Sequence, residues 1–430
     1  MIVSAHASPT IDPGRRTTLK NELIASVISK KSRVMPSILF INRVYPPSVG
    51  ATGRVLEHVA RRFSAEGWDV SVLATTDGGV PAGTTRRDGV TIIRAGVPFS
   101  RRSLLSRALG YVLMIPSLFL RALRLPKHDV LVTKTDPPML LMTGPLLRFF
   151  KGSRLIHWAQ DLYPEIAEEL GLLAPGGGLA RLLHSISSGS MEAHDMTVAV
   201  GRCMAGRIAA RGVPLRKVRV IPNAGVEREI VPSPRMNSFR ESHGLGEAFV
   251  IEYSGNLGRA HDFETILGAA SMLRELGQDD ILFLFIGSGA GERSLREDVR
   301  GQDLSTVRFL PSQPSSSLSE SLGAADLHLV TMRESMSGLV IPSKFYGVMA
   351  AGRPCLFIGP EESEVARVIR EMSVGAVIRP GDSASLVNAI LEYRMNPDML
   401  AETGARARAS VWNHDAPGMF LECAAGVAGL

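Results

Sequence analysis

The sequence predicts an α/β protein made of two doubly wound domains that face each other across a central cleft. Three observations carry this. Short apolar runs alternate with amphipathic helical stretches from Ser37 onward, the pattern of a parallel sheet covered on both faces. A Pro- and charge-rich stretch, Val231 to Ser242, interrupts that pattern, and a second series follows it. The length, 430 residues, suits two to three domains at about 150 residues each.

The first series opens with Ile38-Leu39-Phe40-Ile41, a strand buried on both faces. A loop, Tyr45-Pro46-Pro47-Ser48-Val49-Gly50, leads into a helix from Arg54 to Phe63 with Val55, Val59 and Phe63 on one stripe. Asp69–Leu73, Val90–Ile93, Val130–Val132, Leu155–Trp158, Met196–Val200 and Val218–Ile221 are the further strands. The second series comprises Phe249–Tyr253, Ile281–Ile286, Val307–Leu310, Leu327–Val330 and Pro354–Ile358. The boundaries follow: an extension over 1–34, a first domain over 35–230, a second over 231–410, and a C-terminal segment, 411–430, that returns to the first domain. Residues 1–34 differ from the rest, with Arg15, Arg16, Lys20, Lys30 and Lys31 around short apolar stretches and no long apolar signal core. Met35 is a candidate natural start.

Composition narrows the function. Hydrophobic residues are 45% and charged residues 21%, which excludes global disorder. The net charge of +6 suits a phosphate-bearing ligand or an anionic membrane surface. Aromatic residues are only 6%, and no basic patch is interleaved with them, so a nucleic-acid partner is not expected. Cys203, Cys355 and Cys423 are far apart, which fits neither zinc spacing nor a disulfide framework and points to a reducing cytoplasm. There is no HExxH helix and no DxD pair, so no protein-held metal is expected.

Residues 101–127 carry Arg101, Arg102, Arg107, Arg121, Arg124 and Lys127 and no acid. Between the basic ends, Ala108 to Leu120 is uncharged. That stretch is too short to span a bilayer, which takes about 20 residues of helix, but it fits a segment lying in the membrane interface. The alternative is a buried helix pair with Arg at its ends, and Pro116 is expected to break one long helix. The apolar run Pro137 to Phe150 could extend the patch.

Three loops could hold a ligand. Gly255-Asn256-Leu257-Gly258-Arg259 lies between a strand and a helix, where glycine permits close backbone approach and a helix start offers free N–H groups. Gly287-Ser288-Gly289-Ala290-Gly291 has the wrong spacing for a dinucleotide fingerprint and follows the second strand of its series, not the first, so no nicotinamide cofactor is expected. In Pro342-Ser343-Lys344-Phe345-Tyr346-Gly347, Lys344 is the lone charge between Ser335 and Gly352, which favours an anionic ligand over a solvated surface. In the first series, Asp161 follows the strand Leu155–Trp158. It either faces the cleft or caps the helix around Ile166–Leu170.

Taken in order, several motifs together resemble the family 4 glycosyltransferases of the GT-B architecture. They are Tyr45-Pro46-Pro47 with Gly50, Asp161-Leu162-Tyr163-Pro164-Glu165, Val220-Ile221-Pro222-Asn223, Tyr253 to Gly258, Phe285 to Gly289, and Pro342 to Tyr346 with Ala350-Ala351-Gly352. The chain is most similar to the bacterial branch that builds colanic acid, capsule and O-antigen polysaccharides, over roughly Met35 to Val411.

The resemblance implies two Rossmann-like domains, a sugar nucleotide held mainly by the second and an acceptor held mainly by the first. It places Gly50, Gly255, Asn256, Arg259, Gly287, Gly289, Ser343, Lys344 and Glu364 at the donor, and Asp161 and Glu165 at the acceptor. Asp161, Arg259 and Lys344 would carry the catalysis. It also implies retention at the anomeric carbon with no metal or other cofactor. If residues 101–127 lie on the membrane, the expected acceptor is a lipid-linked saccharide, a polyprenyl-diphosphate sugar, met at the inner face of the plasma membrane. Many relatives carry a glutamate pair that would fall on Leu339 and Gly347. Both are missing here, and Glu334 is the nearest upstream acid. A sugar-nucleotide 2-epimerase of the same architecture and a non-catalytic sugar-nucleotide-binding subunit are the competing expectations.

Overall fold

The structure, a computed structural model, describes residues 35–48, 50–76, 80–95, 104–224, 229–258, 260–411 and 415–430, the side chains of 104–109, 111 and 112 aside. The expectations for residues 1–34 lie outside the described residues. Residues 37–430 form one compact unit.

Two α/β sheets, Rossmann-like in topology, face each other in this unit. The first contains β1 (Ser37–Ile41), β2 (Asp69–Ala74), β3 (Gly83–Arg87), β4 (Val90–Arg94), β5 (Val130–Thr133), β6 (Arg154–Ala159), β7 (Met196–Ala199) and β8 (Val218–Val220). Their spatial order is β3-β4-β2-β1-β5-β6-β7-β8. All pairs are parallel except β3 with β4. The second sheet contains β9 (Phe249–Ser254), β10 (Ile281–Ile286), β11 (Val307–Leu310), β12 (Leu327–Thr331), β13 (Cys355–Ile358) and β14 (Gly375–Ile378). Its order is β11-β10-β9-β12-β13-β14.

The strands are apolar on both faces because both faces carry helices. In β1, Ile38 and Phe40 enter one core while Leu39 and Ile41 enter another. In β10, Ile281, Phe283 and Phe285 face one core, and Leu282, Leu284 and Ile286 the other. Each such side chain contributes roughly 1.5–3 kcal/mol on burial. The C-terminal helix Ala416–Ala428 packs on the first sheet: the Phe420 ring lies 4.5 Å from Trp158 and 6.1 Å from Phe40 and from Phe63.

Pro116 does not break its helix. One helix runs from Leu104 to Arg124 with Pro116 inside. Met114, Leu118 and Ala122 form a buried stripe on its sheet-facing side, and that packing outweighs the hydrogen bond proline removes. β3 and β14 are additions to the expected strands.

Candidate active site

In open α/β sheets the strand order reverses at one place, and a crevice opens outside the carboxyl ends there. The first sheet reverses between β1 and β5, the second between β9 and β12.

At the second switch point, β9 ends in the loop Ser254–Gly258. Gly255 takes φ +139°, open to glycine alone. Its N–H donates to the Ile286 carbonyl at 2.8 Å, and the Leu257 N–H donates to Ser288 at 3.0 Å. The loop after β10 is therefore stacked directly on the loop after β9. A Cβ on Gly287 would lie 2.0 Å from the Gly255 carbonyl, and one on Gly289 2.4 Å from that of Leu257. Both glycines are required by this backbone packing. Asn256 accepts the Tyr253 hydroxyl on its carbonyl at 2.8 Å.

Lys344 begins the helix Lys344–Ala351, with Ser343 at its N-cap position. The lysine reaches back to β9. Its Nζ donates to the Tyr253 hydroxyl, stands 3.7 Å from the centre of that ring, and lies 3.4 Å from where a Gly255 Cβ would be. Burial pushes its ammonium down to about 7, because the charged form loses solvation. Among the described residues no carboxylate forms an ion pair with it. His261, beside Tyr253, hydrogen-bonds the Thr331 carbonyl through Nδ1 at 2.7 Å. Burial, then the Lys344 charge, pushes it down to about 3, so it is neutral. Arg259 lies outside the described residues.

At the first switch point, the loop after β1 is held by Arg94, whose guanidinium donates to the Tyr45 carbonyl at 2.5 Å, to Pro46 at 2.7 Å and to Thr75 at 3.2 Å. Gly50 stands at the start of the helix Ala51–Ala65. Across the crevice, Arg43 pairs with Asp136 at 2.6 Å. Lys134, fully buried, places Nζ 3.5 Å from the centre of the Trp158 ring. Asp161, partly buried beyond β6, is raised to about 6 by burial and by Asp136, against the Lys134 charge and a Thr135 hydrogen bond.

The two sheets meet beside Asp161. Its backbone forms an isolated antiparallel bridge with Val340, and the Leu162 N–H donates to the Leu339 carbonyl at 2.9 Å. Asp161 is thus no helix cap: the next helix is Glu165–Glu169, and Pro164 precedes it.

Two of the expected site acids have partners within the protein. Glu364, assigned to the donor, accepts the Arg202 backbone N–H at 2.6 Å and its Nε–H at 3.0 Å, so its carboxylate ties the two halves together. Glu165, assigned to the acceptor, is paired with Arg211 and lies 3.7 Å from His184. Both neighbours belong to the same half of the chain as Glu165.

Sequence reasoning did not single out Arg43, Lys134 or Asp136, and it quoted Tyr253 only as the first residue of a motif. The signal available was Lys134-Thr135-Asp136 directly after a strand. Of the basic segment, Arg101 and Arg102 lie outside the described residues, as does the side chain of Arg107. Arg124 is exposed and Arg121 partly buried. Leu113, Leu120, Leu146, Phe149 and Phe150 are exposed nearby, on this helix and on Thr143–Lys151. Among the described residues no helix is long and apolar enough to cross a membrane, and no three His, Cys, Asp or Glu gather as metal ligands.

Two facing α/β sheets, Rossmann-like in topology, define the GT-B architecture. The model of the glycosyl transferase 4-like domain matches residues 50–224, and that of the group 1 glycosyl transferases matches 248–396. A probable glycosyltransferase of Pseudomonas aeruginosa, WbjE, is 30% identical over 298 residues, 68% of this chain and 73% of its own. The putative colanic acid biosynthesis glycosyl transferase WcaI of Escherichia coli K12 is 24% identical over 59% of this chain and 63% of its own. The chain belongs to this glycosyltransferase family. Among solved structures, the sucrose-phosphate synthase of Thermosynechococcus elongatus superposes with a TM-score of 0.72 at 17% identity, over 90% of this chain and 98% of that one. Anabaena HepE in complex with UDP and glucose gives 0.70 at 15%, over 92% and 100%.

Proposed function

We propose that this enzyme belongs to the family 4 branch that builds cell-surface polysaccharides, and that it moves a sugar from a nucleoside-diphosphate sugar to a polyprenyl-diphosphate-linked glycan. The observation that carries this is Lys344: a cation with no carboxylate partner among the described residues, laid along a glycine turn at a switch point. A diphosphate fits that environment, because it supplies the missing charge and the glycine lets it approach the backbone. The similarity to HepE, solved in complex with UDP and glucose, and to WcaI, a putative colanic acid biosynthesis glycosyl transferase, supports the donor class and the pathway class.

In this reading the second half, 231–410, holds the donor, and the first, 35–230, holds the acceptor. Lys344, the start of its helix at Ser343, and Arg259 stabilise the charge that grows on the departing diphosphate. Gly50, Gly255 and Asn256 line the diphosphate's path. The diphosphate takes the acceptor's proton on the face it leaves, so the configuration is retained and no metal is needed. Asp161 accepts a hydrogen bond from the acceptor hydroxyl and orients it.

The acceptor is met at the membrane. Arg124, Lys127 and Lys151 beside exposed Leu120, Phe149 and Phe150 make a basic, apolar face suited to an anionic leaflet. Changing Phe149 and Phe150 to Ser should release the protein from anionic vesicles, and unchanged flotation would count against this face. The function is tested by incubating the enzyme with UDP-, GDP- and dTDP-sugars and following released nucleoside diphosphate. Release that depends on a lipid-linked acceptor is expected. Donor isomerisation without release, or no turnover of any donor, would contradict transfer.

A further inference from the structure

Arg94 ends β4 on the face of Val90 and Ile92, both in the core. For packing alone, an apolar side chain would serve there. Instead a buried guanidinium occupies the position. Burying a cation is costly unless hydrogen bonds replace its water, so its partners show what the arginine is for. They are groups on the loops at the carboxyl ends of β1 and β2. Nη2 donates to the Tyr45 carbonyl at 2.5 Å and to the Pro46 carbonyl at 2.7 Å. Nη1 donates to the Thr75 carbonyl at 3.2 Å and reaches the Ser48 hydroxyl at 3.5 Å.

The loop passes this hold on to Gly50. The Ser48 N–H donates back to the Tyr45 carbonyl at 3.1 Å. Val44, just before the held carbonyls, is the surface on which the next two glycines pack. A Cβ on Gly50 would lie 2.9 Å from a Val44 methyl, and one on Gly53 3.0 Å from the Val44 carbonyl. The Gly50 carbonyl accepts the N–H groups of Gly53 and Arg54, each at 3.2 Å, and so opens the helix Ala51–Ala65. Gly50 and the helix start are thus seated on the loop, and the loop on Arg94.

We propose that Arg94 is a positioning residue of the transfer reaction: its planar fork sets the loop after β1 so that Gly50 and the start of the following helix meet the donor diphosphate. This rests on the transferase reading and on Gly50 lying at the diphosphate. Arg94 acts through the loop, being buried itself. Lysine cannot replace it. An ammonium is a point charge on a flexible stem, whereas a guanidinium presents several N–H groups in one rigid plane to carbonyls on two loops.

The first test is steady-state kinetics with donor and lipid-linked acceptor for wild type, Arg94→Ala and Arg94→Lys. Both variants should raise the donor KM, the alanine variant by about tenfold, with kcat and the acceptor KM changed much less. A fall in kcat with the donor KM unmoved would overturn the proposal, since a merely structural arginine lowers the folded fraction in that way. The second test uses Arg94→Lys, which keeps the charge and most of the buried stem, and it needs no sugar. Amide hydrogen exchange at Ser48, Gly53 and Arg54 should speed up by about tenfold, while Leu39 and Phe40 in β1 keep their wild-type rates. Unchanged exchange at those three loop and helix-start amides would overturn the proposal. Absence of turnover with every donor would sink the transferase reading, whereas the exchange rates judge the hold of Arg94 on the loop by itself.

Discussion

The two switch points are built from the same strand topology but charged in opposite ways. At the first, between β1 and β5, Arg43 pairs with Asp136, and the buried Lys134 has Asp136 and Asp161 as the carboxylates whose charge acts on it. At the second, between β9 and β12, one lysine faces a tyrosine hydroxyl, a neutral histidine and a glycine turn. A site that already balances its charge suits an uncharged partner such as a hydroxyl, whose proton and direction must be controlled. A site with surplus positive charge waits for an anion. In the proposed reading, the division of labour between acceptor and donor rests on this electrostatic difference, since the backbone frames are alike.

That contrast can be broken most directly at Lys344. Lys344→Ala should cost about 3 kcal/mol in transition-state stabilisation, roughly a hundredfold in kcat/KM; steady-state kinetics with the preferred donor checks it. Asp161→Asn removes a charge-assisted hydrogen bond and should cost about 2 kcal/mol, roughly thirtyfold, with the larger part in kcat. The pH dependence sharpens the same comparison. Lys344 must be protonated to hold a diphosphate and is pushed down to about 7. In the free enzyme, kcat/KM for the donor should therefore fall as pH rises through about 7, by up to about tenfold per unit. Lys344→Arg should push that alkaline limb far upward. The smallest effect is expected at the tie between the halves. Glu364→Gln weakens the bonds to Arg202 and should lower stability by about 1–2 kcal/mol, read by denaturant unfolding, with donor KM little changed. A large rise in KM would return Glu364 to the donor site.

Much of the fold was legible because its strands are buried on both faces, so composition alone marks them. β3, Gly-Thr-Thr-Arg-Arg, was not: it is an exposed antiparallel edge strand, and edges are kept polar. β14 was hidden because its first residue is a glycine. A Cβ on Gly375 would lie 1.8 Å from the Cys355 carbonyl, so the strand needs glycine where sequence patterns read a turn. Pro116 misled because helix propensity yields to a buried stripe.

The site was legible in part. Lys344 stood out as a lone charge, and the structure sets it against Gly255. Arg43, Lys134 and Asp136 did not stand out, because parallel topology brings β1 and β5 together over some ninety residues of sequence. The bond of Glu364 to Arg202 was hidden for a similar reason. An acid opening a helix near a ligand loop looks available, and only the fold shows Arg202 in its reach.

Equilibrium binding of UDP, GDP and dTDP to wild type and to Lys344→Met, each at pH 6 and pH 8, addresses the donor grip without any acceptor or membrane. If Lys344 holds the diphosphate, one nucleotide should bind wild type at least about tenfold more tightly than the variant at pH 6, and the gap should narrow at pH 8. Equal affinity in the two proteins at both pH values would contradict the assignment.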